Sequence, residues 1–161
     1  MMYVCISIIV FFSGLTVGFI FAVYRCGFRF YSEKKKTERL RLNLKLLDRF
    51  MSVIERGQDV TVFFERRNIS SVAVYGIGIL GRHFLKNIDT DKISISFVVD
   101  REVGLHQDFR VYDVNDEWPS VDALIVTPVL EYQEIKQTIQ NKMGVAVYSI
   151  EEIISDCEKG L

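Results

Sequence analysis

Cysteine, histidine, proline and tryptophan are scarce in this chain of 161 residues: three, two, two and one respectively. Cys5, Cys26 and Cys157 are too scattered for a metal knuckle and form no paired framework, which excludes a disulfide scaffold and a Cys/His zinc site. Unpaired thiols suit a reducing compartment. His83 reads as a solvated or capping residue at a helix start, and His106 lacks metal-ligand spacing to any His or Cys, so no metal is expected. Charge of one sign is also missing. With 20 Lys and Arg against 21 Asp and Glu, the net charge of −1 gives no whole-chain case for nucleic acid. There is no nucleophile elbow, no P-loop lysine, no paired-carboxylate constellation, no low-complexity segment and no internal repeat. The length suits one domain of ordinary size.

The averages hide an uneven chain. Residues 3–24, YVCISIIVFFSGLTVGFIFAVY, carry no charge, and 13 of the 22 are Ile, Leu, Val or Phe. At 1.5 Å per residue such a helix crosses a hydrocarbon core of ~30 Å, and its apolar side chains contribute about −5 kcal/mol to insertion. No basic stretch precedes it and no small-residue cleavage site or lipoprotein box follows, so an uncleaved transmembrane anchor is expected. Arg25, Arg29, Lys34, Lys35, Lys36, Arg39 and Arg41 follow the span and none precedes it. Positive-inside bias then puts the N-terminus outside and the C-terminal part in the cytoplasm. The basic run is either a stop-transfer flank or, in addition, a gatherer of anionic lipid. Gly14 and Gly18 form a G-x-x-x-G, one route to a homodimer.

Residues 25–67 read as this basic flank followed by juxtamembrane helices. Leu40, Leu44, Leu47, Met51 and Ile54 recur at four- and three-residue steps, the seam of an amphipathic helix. It either packs on its own domain, lies along the bilayer, or pairs with a second copy. Arg56-Gly57 ends it, and Gln58 or Asp59 opens a short second helix over VTVFFERR. From 68 to 157 strand and helix patterns alternate. Strands are expected at 72–75, 93–100, 109–114, 122–128 and 144–149, and helices at 79–88, 130–142 and 150–157. That alternation implies an α/β fold, a small Rossmann-like parallel sheet with flanking helices.

Chemistry concentrates after the first strand. Gly76, Gly78 and Gly81 stand in G-x-G-x-x-G spacing between a β-branched run and a helix. Gly76 suits a tight turn, Gly78 a close backbone approach to pyrophosphate, and Gly81 close packing of helix on strand. Phosphate would then lie on the amides of Gly78, Ile79, Leu80 and Gly81. Arg82 stands ready for a phosphate or carboxylate. Asp100 ends the second strand, 24 residues after Gly76. It either accepts from ribose hydroxyls or serves as a strand-end turn or cap residue. The adjacent Arg101 blurs discrimination against a 2′-phosphate. Thr127-Pro128 ends a further strand at the edge where open α/β sheets bind ligands. There the Thr127 hydroxyl lines the pocket, or Pro128 simply starts the next helix. Tyr132 and Lys136 form Y-x-x-x-K on one helix face, the spacing of a dehydrogenase dyad, and are weak catalytic candidates because they follow the wrong strand.

Four segments carry a resemblance: VFFERRNISSVAVYGIGILGRHFLKNI, ISISFVVDR, VDALIVTPVLEYQEIKQTI and VAVYSIEEII. Together they resemble a Rossmann-like module of bacterial capsular and exopolysaccharide gene clusters, described as nucleoside-diphosphate-sugar epimerase-like. They are also similar to the N-terminal nucleotide-sugar-binding domain of sugar acetyltransferases. More loosely, they resemble the nucleotide-binding half of membrane-bound sugar dehydratases. The resemblance implies NAD or a UDP-sugar-like nucleotide at Gly76, Gly78, Gly81 and Asp100. It also implies a setting in surface-polysaccharide synthesis at a bacterial inner or cytoplasmic membrane, with a polysaccharide-assembly or glycosyltransferase partner. The β-helical repeats and the dehydratase catalytic half of these relatives are not in the sequence. An accessory binding module is therefore expected ahead of an NAD-dependent epimerase or dehydratase-like enzyme, or a ligand-responsive regulator of a membrane glycosyltransferase.

Overall fold

A computed structural model describes residues 2–100 and 109–160, with side chains described for 18–25, 33–100 and 109–160. Two compact units, Met1–Arg41 and Leu42–Leu161, divide the chain.

The first helix, α1, runs from Met2 to Glu55. A membrane helix followed by a separate juxtamembrane helix was expected; the structure has one helix through the basic stretch. The reason is compositional: Lys, Arg and Glu are good helix formers, and no proline occurs before residue 119. A Glu33–Lys36 pair at 3.0 Å lies along it. Of the expected span 3–24, the side chains of residues 3–17 lie outside the described residues. Those of 18–24 are exposed. Among the described residues no helix is long and apolar enough to cross a membrane.

In the second unit α1 gives way to α2 (Val62–Glu65), then β1 (Ser71–Tyr75), α3 (Ile79–Asn87), β2 (Ser94–Val99) and β3 (Val111–Tyr112). β4 (Ala123–Val126), α4 (Tyr132–Met143), β5 (Ala146–Ser149) and α5 (Ile150–Lys159) complete it. Five strands form one sheet in the order β3-β2-β1-β4-β5, and every neighbouring pair is parallel. The expected α/β parallel sheet is present. β1 is one residue longer than the sequence pattern suggested, and the other four strands are shorter. At the last one, Gly144 caps α4 with its N–H on the Gln140 carbonyl, so β5 begins only at Ala146.

Alternation along the strands divides the core between two faces. Val72, Val74, Val98 and Ile125 face α3, α5, α2 and the last turns of α1, meeting Leu80, Phe84, Ile153, Phe64 and Phe50. Ala73, Phe97, Val99, Leu124 and Val126 face the other way, against Ile139 of α4 with Trp118 and Tyr132 beside it. The core thus extends upstream of residue 68. Leu46, Phe50, Val53, Val60, Phe63 and Phe64 are all fully buried. On α1 the domain-facing seam is Leu46, Phe50 and Val53. In the expected seam, Leu47 and Ile54 are only partly buried, and Leu40, Leu44 and Met51 are exposed.

Helix α5 ties α1 down by charge as well. The Arg49 guanidinium donates from Nε to Glu158 Oε1 at 3.0 Å and from Nη2 to Glu158 Oε2, and also to Ser155 Oγ at 2.9 Å. This two-point grip, a strong form of ion pair, holds the Glu158 carboxyl below its ordinary range through the hydrogen bond from Arg49.

Candidate ligand site at the carboxyl edge of the sheet

β1 ends at Tyr75, and the chain turns immediately at Gly76, whose φ of +94° is a left-handed conformation that favours glycine. A Cβ there would also meet Thr127 Oγ1 at 2.8 Å and Pro128 Cδ at 3.0 Å. The loop is therefore pressed against the end of β4. Strand order reverses between β1 and β4, since the chain builds outward to β2 and β3 on one side and to β4 and β5 on the other. The glycine loop sits at this switch point, where open α/β sheets leave a crevice.

The three glycines do different things. At Gly81 a Cβ would come within 2.2 Å of the Gly76 carbonyl oxygen, so glycine is needed for α3 to pack over the loop. At Gly78, the N-cap of α3, no atom of the described residues beyond its chain neighbours lies within 4 Å of where a Cβ would be. Its φ of −63° suits any residue, so neither conformation nor packing among the described residues demands glycine there. Close approach of a ligand to the backbone would. The first amides of a helix such as α3 have no intrahelical acceptor, which makes them donors for an anion.

Around this loop the expected site residues take distinct places. Ile79 is exposed at the start of α3 and Leu80 is buried beneath it. Arg82 is exposed one turn on, with no side-chain partner among the described residues. Asp100 stands beside the loop, and its Oδ2 accepts the Ile77 N–H at 2.6 Å. Of the two roles open to it in the sequence, the capping contact is thus present. Thr127 is buried, and its hydroxyl donates to the Gly76 carbonyl at 2.9 Å instead of facing open space. Pro128 does not start α4, which begins four residues later; it packs against Gly76. Arg101 and His106 lie outside the described residues.

Tyr132 and Lys136 stand in the first turns of α4. The Tyr132 hydroxyl donates to the Val147 carbonyl at 3.0 Å, on β5 two residues before that strand's carboxyl end. The Lys136 ammonium lies 5.4 Å from the centre of the Tyr132 ring, over its face. Tyr132 thereby ties α4 to β5, with Lys136 against its ring. Among the described residues no cluster of His, Cys, Asp and Glu could hold a metal ion.

The sequence reading missed a carboxylate at the opposite edge of the sheet. Asp122 Oδ2 accepts the N–H groups of Ser70 and Ser71 at 2.9 and 2.8 Å, and the Ser70 hydroxyl at 2.9 Å. These donors, the Ser70 N–H foremost, pull its pKa down to about 2. An Asp one residue before a buried strand was the available signal, but the two serines it holds are 51 and 52 residues away.

Comparison with family models, with curated proteins and with solved structures finds no match to this chain.

Proposed function

We propose that this chain is a membrane-anchored binding module whose cytoplasmic Rossmann-like domain takes a nucleotide or nucleotide-sugar at the Gly76–Gly81 loop. It would serve as an accessory to bacterial surface-polysaccharide synthesis. The observation that carries the ligand reading is Gly78: a glycine that packing among the described residues does not require, opening a helix at the sheet's switch point. A pyrophosphate lying on the amides of Ile79, Leu80 and Gly81 would account for it, with Arg82 within one helical turn for a further charge. NAD and UDP-sugars share that pyrophosphate.

The anchor rests on composition. Residues 3–24 carry no charge, and seven cations follow within residues 25–41. The polysaccharide setting, and a glycosyltransferase or assembly protein as partner, rest on the resemblance of about residues 46–157, carried by the four segments described above. An NAD-dependent epimerase or dehydratase is the less favoured reading, because the hydroxyl it would use on Tyr132 is spent on Val147.

A thermal-unfolding panel on the full chain in detergent, with NAD and UDP-sugars as probes, tests the ligand reading. At 100 times its dissociation constant a true ligand stabilises by about 2.7 kcal/mol. No shift across the panel, or a shift that survives Gly78→Val, removes the reading. For the anchor, the full chain should pellet with alkali-washed membranes and a chain lacking residues 3–24 should not. Equal pelleting of both would overturn it.

A further inference from the structure

The peptide that joins Gly76 to Ile77 is held at both of its polar groups by side chains from two different strand ends. Its carbonyl, on Gly76, accepts from Thr127 Oγ1 at 2.9 Å. Its N–H, on Ile77, donates to Asp100 Oδ2 at 2.6 Å. Asp100 follows β2 and Thr127 follows β4, the strands that flank β1 on its two sides. The loop is thus gripped from both neighbours of the strand it leaves.

This grip fixes which way the peptide faces. Turning it over would break both bonds and bring the Gly76 carbonyl toward the Asp100 carboxylate, acceptor against acceptor. The bond to Asp100 is charge-assisted and so the stronger of the two. The same carbonyl is the atom that a Cβ on Gly81 would strike, so its position also sets how closely α3 can approach. The grip also sorts the loop's donors. The Ile77 N–H is taken by Asp100, whereas the first amides of α3 have no intrahelical acceptor.

We infer that Asp100 and Thr127 are positioning residues for the glycine loop, so that Asp100 acts on a bound anion through the Gly76–Ile77 peptide instead of accepting from a ribose. Its ligand consequences rest on the nucleotide reading above; its consequences for the loop do not.

The test uses the full chain in detergent and four variants: Asp100→Ala, Asp100→Asn, Thr127→Val and Thr127→Ser. Amide hydrogen exchange over residues 76–78 is measured without ligand. Affinities for NAD and for inorganic pyrophosphate are measured by calorimetry. Asp100→Ala should speed exchange at Ile77 by about tenfold or more, the worth of a hydrogen bond to a charged group, while β1 amides stay protected. Thr127→Val, which keeps the buried shape, should speed it by a smaller factor. Asp100→Asn and Thr127→Ser retain an acceptor and a donor and should restore protection. Asp100→Ala should weaken NAD and pyrophosphate by the same factor, because a loop effect does not depend on ribose. Unchanged exchange at Ile77 overturns the inference, as does weakened NAD binding with pyrophosphate unaffected or tighter. If neither probe binds the parent chain, the nucleotide reading fails, and the exchange data alone decide the positioning role. Should Asp100→Ala not fold, the comparison of Thr127→Val with Thr127→Ser decides it.

Discussion

A Cβ on Gly81 would stand 2.2 Å from a backbone oxygen that Thr127 already holds, whereas one on Gly78 would meet nothing within 4 Å among the described residues beyond its chain neighbours. The two positions therefore separate folding from binding. Gly81→Ala should lose about 1–3 kcal/mol or more of stability, because neither α3 nor the loop can retreat from a backbone clash cheaply. Gly78→Val should stay within about 1 kcal/mol of the parent, the scale of an unfavourable N-cap, yet lose ligand binding. Urea unfolding of both variants beside the ligand panel checks the pair; equal stability losses would contradict the packing argument. At the other sheet edge, Asp122 makes a pH prediction. Its folded pKa, about 2, is below that of an unfolded aspartate, so its stabilisation is present above the unfolded value. That contribution is lost as pH falls from about 4 to about 2. Asp122→Asn should lower the unfolding midpoint at neutral pH and flatten its fall across that window. A variant as acid-sensitive as the parent would show that Asp122 is not the group responsible.

Among the elements, α1 is where sequence and structure part most. Apolar residues fall at 40, 42, 44, 46, 47, 50, 51, 53 and 54, an apolar arc wide enough for more than one seam. Four-and-three spacing can be drawn through Leu40, Leu44, Leu47, Met51 and Ile54. The same rhythm also joins Leu46, Phe50 and Val53, and those are the residues the core buries. Periodicity identified a helix; only the surface it meets, assembled from residues as near as Phe63 and as far as Ile153, chooses the face. Phe50→Ala should accordingly cost about 3–5 kcal/mol, the price of a large core cavity, and Leu44→Ala under about 1 kcal/mol. Denaturant midpoints for the two variants check this, and a reversed order would mean that the Leu44 stripe is the packed one. Strands were easier. β1, β2 and β4 are β-branched runs that pair in the register of a parallel sheet, and local composition sufficed to find them. The glycine loop was legible for the same reason, since spacing, strand and helix are contiguous. What Asp100 and Thr127 do there was not legible. Their partners Ile77 and Gly76 are 23 and 51 residues away, and a strand-end Asp is equally suited to a ribose or to a backbone amide.

At the scale of the molecule, the consequence is where the folding unit of Leu42–Leu161 can be cut. A chain beginning at residue 68 would lack Leu46, Phe50, Val53, Val60, Phe63 and Phe64, each buried to 1% exposure or less. At roughly 2 kcal/mol per buried side chain these contribute about 12 kcal/mol, as large as the whole stability of an ordinary domain. Charge would be lost with them: Arg49 on Glu158, and Arg67 on Asp156 at 3.1 Å with its guanidinium 3.7 Å over the Phe63 ring. The exposed apolar face of α3 and α5 would then be open to association. Residues 68–161 should therefore aggregate or unfold without cooperativity, whereas residues 42–161 should melt in one cooperative transition with dispersed amide resonances. A cooperative fold from residue 68 onward would mean that the last turns of α1 are an attachment and not part of the core. If they are part of it, a ligand bound at the glycine loop and the helix that leads from the N-terminal segment share one packed face of the sheet. Binding that stabilises the domain would then also stabilise the seating of α1. Exchange at Phe50 and Val53 amides should slow with saturating NAD by the same factor as exchange in β1.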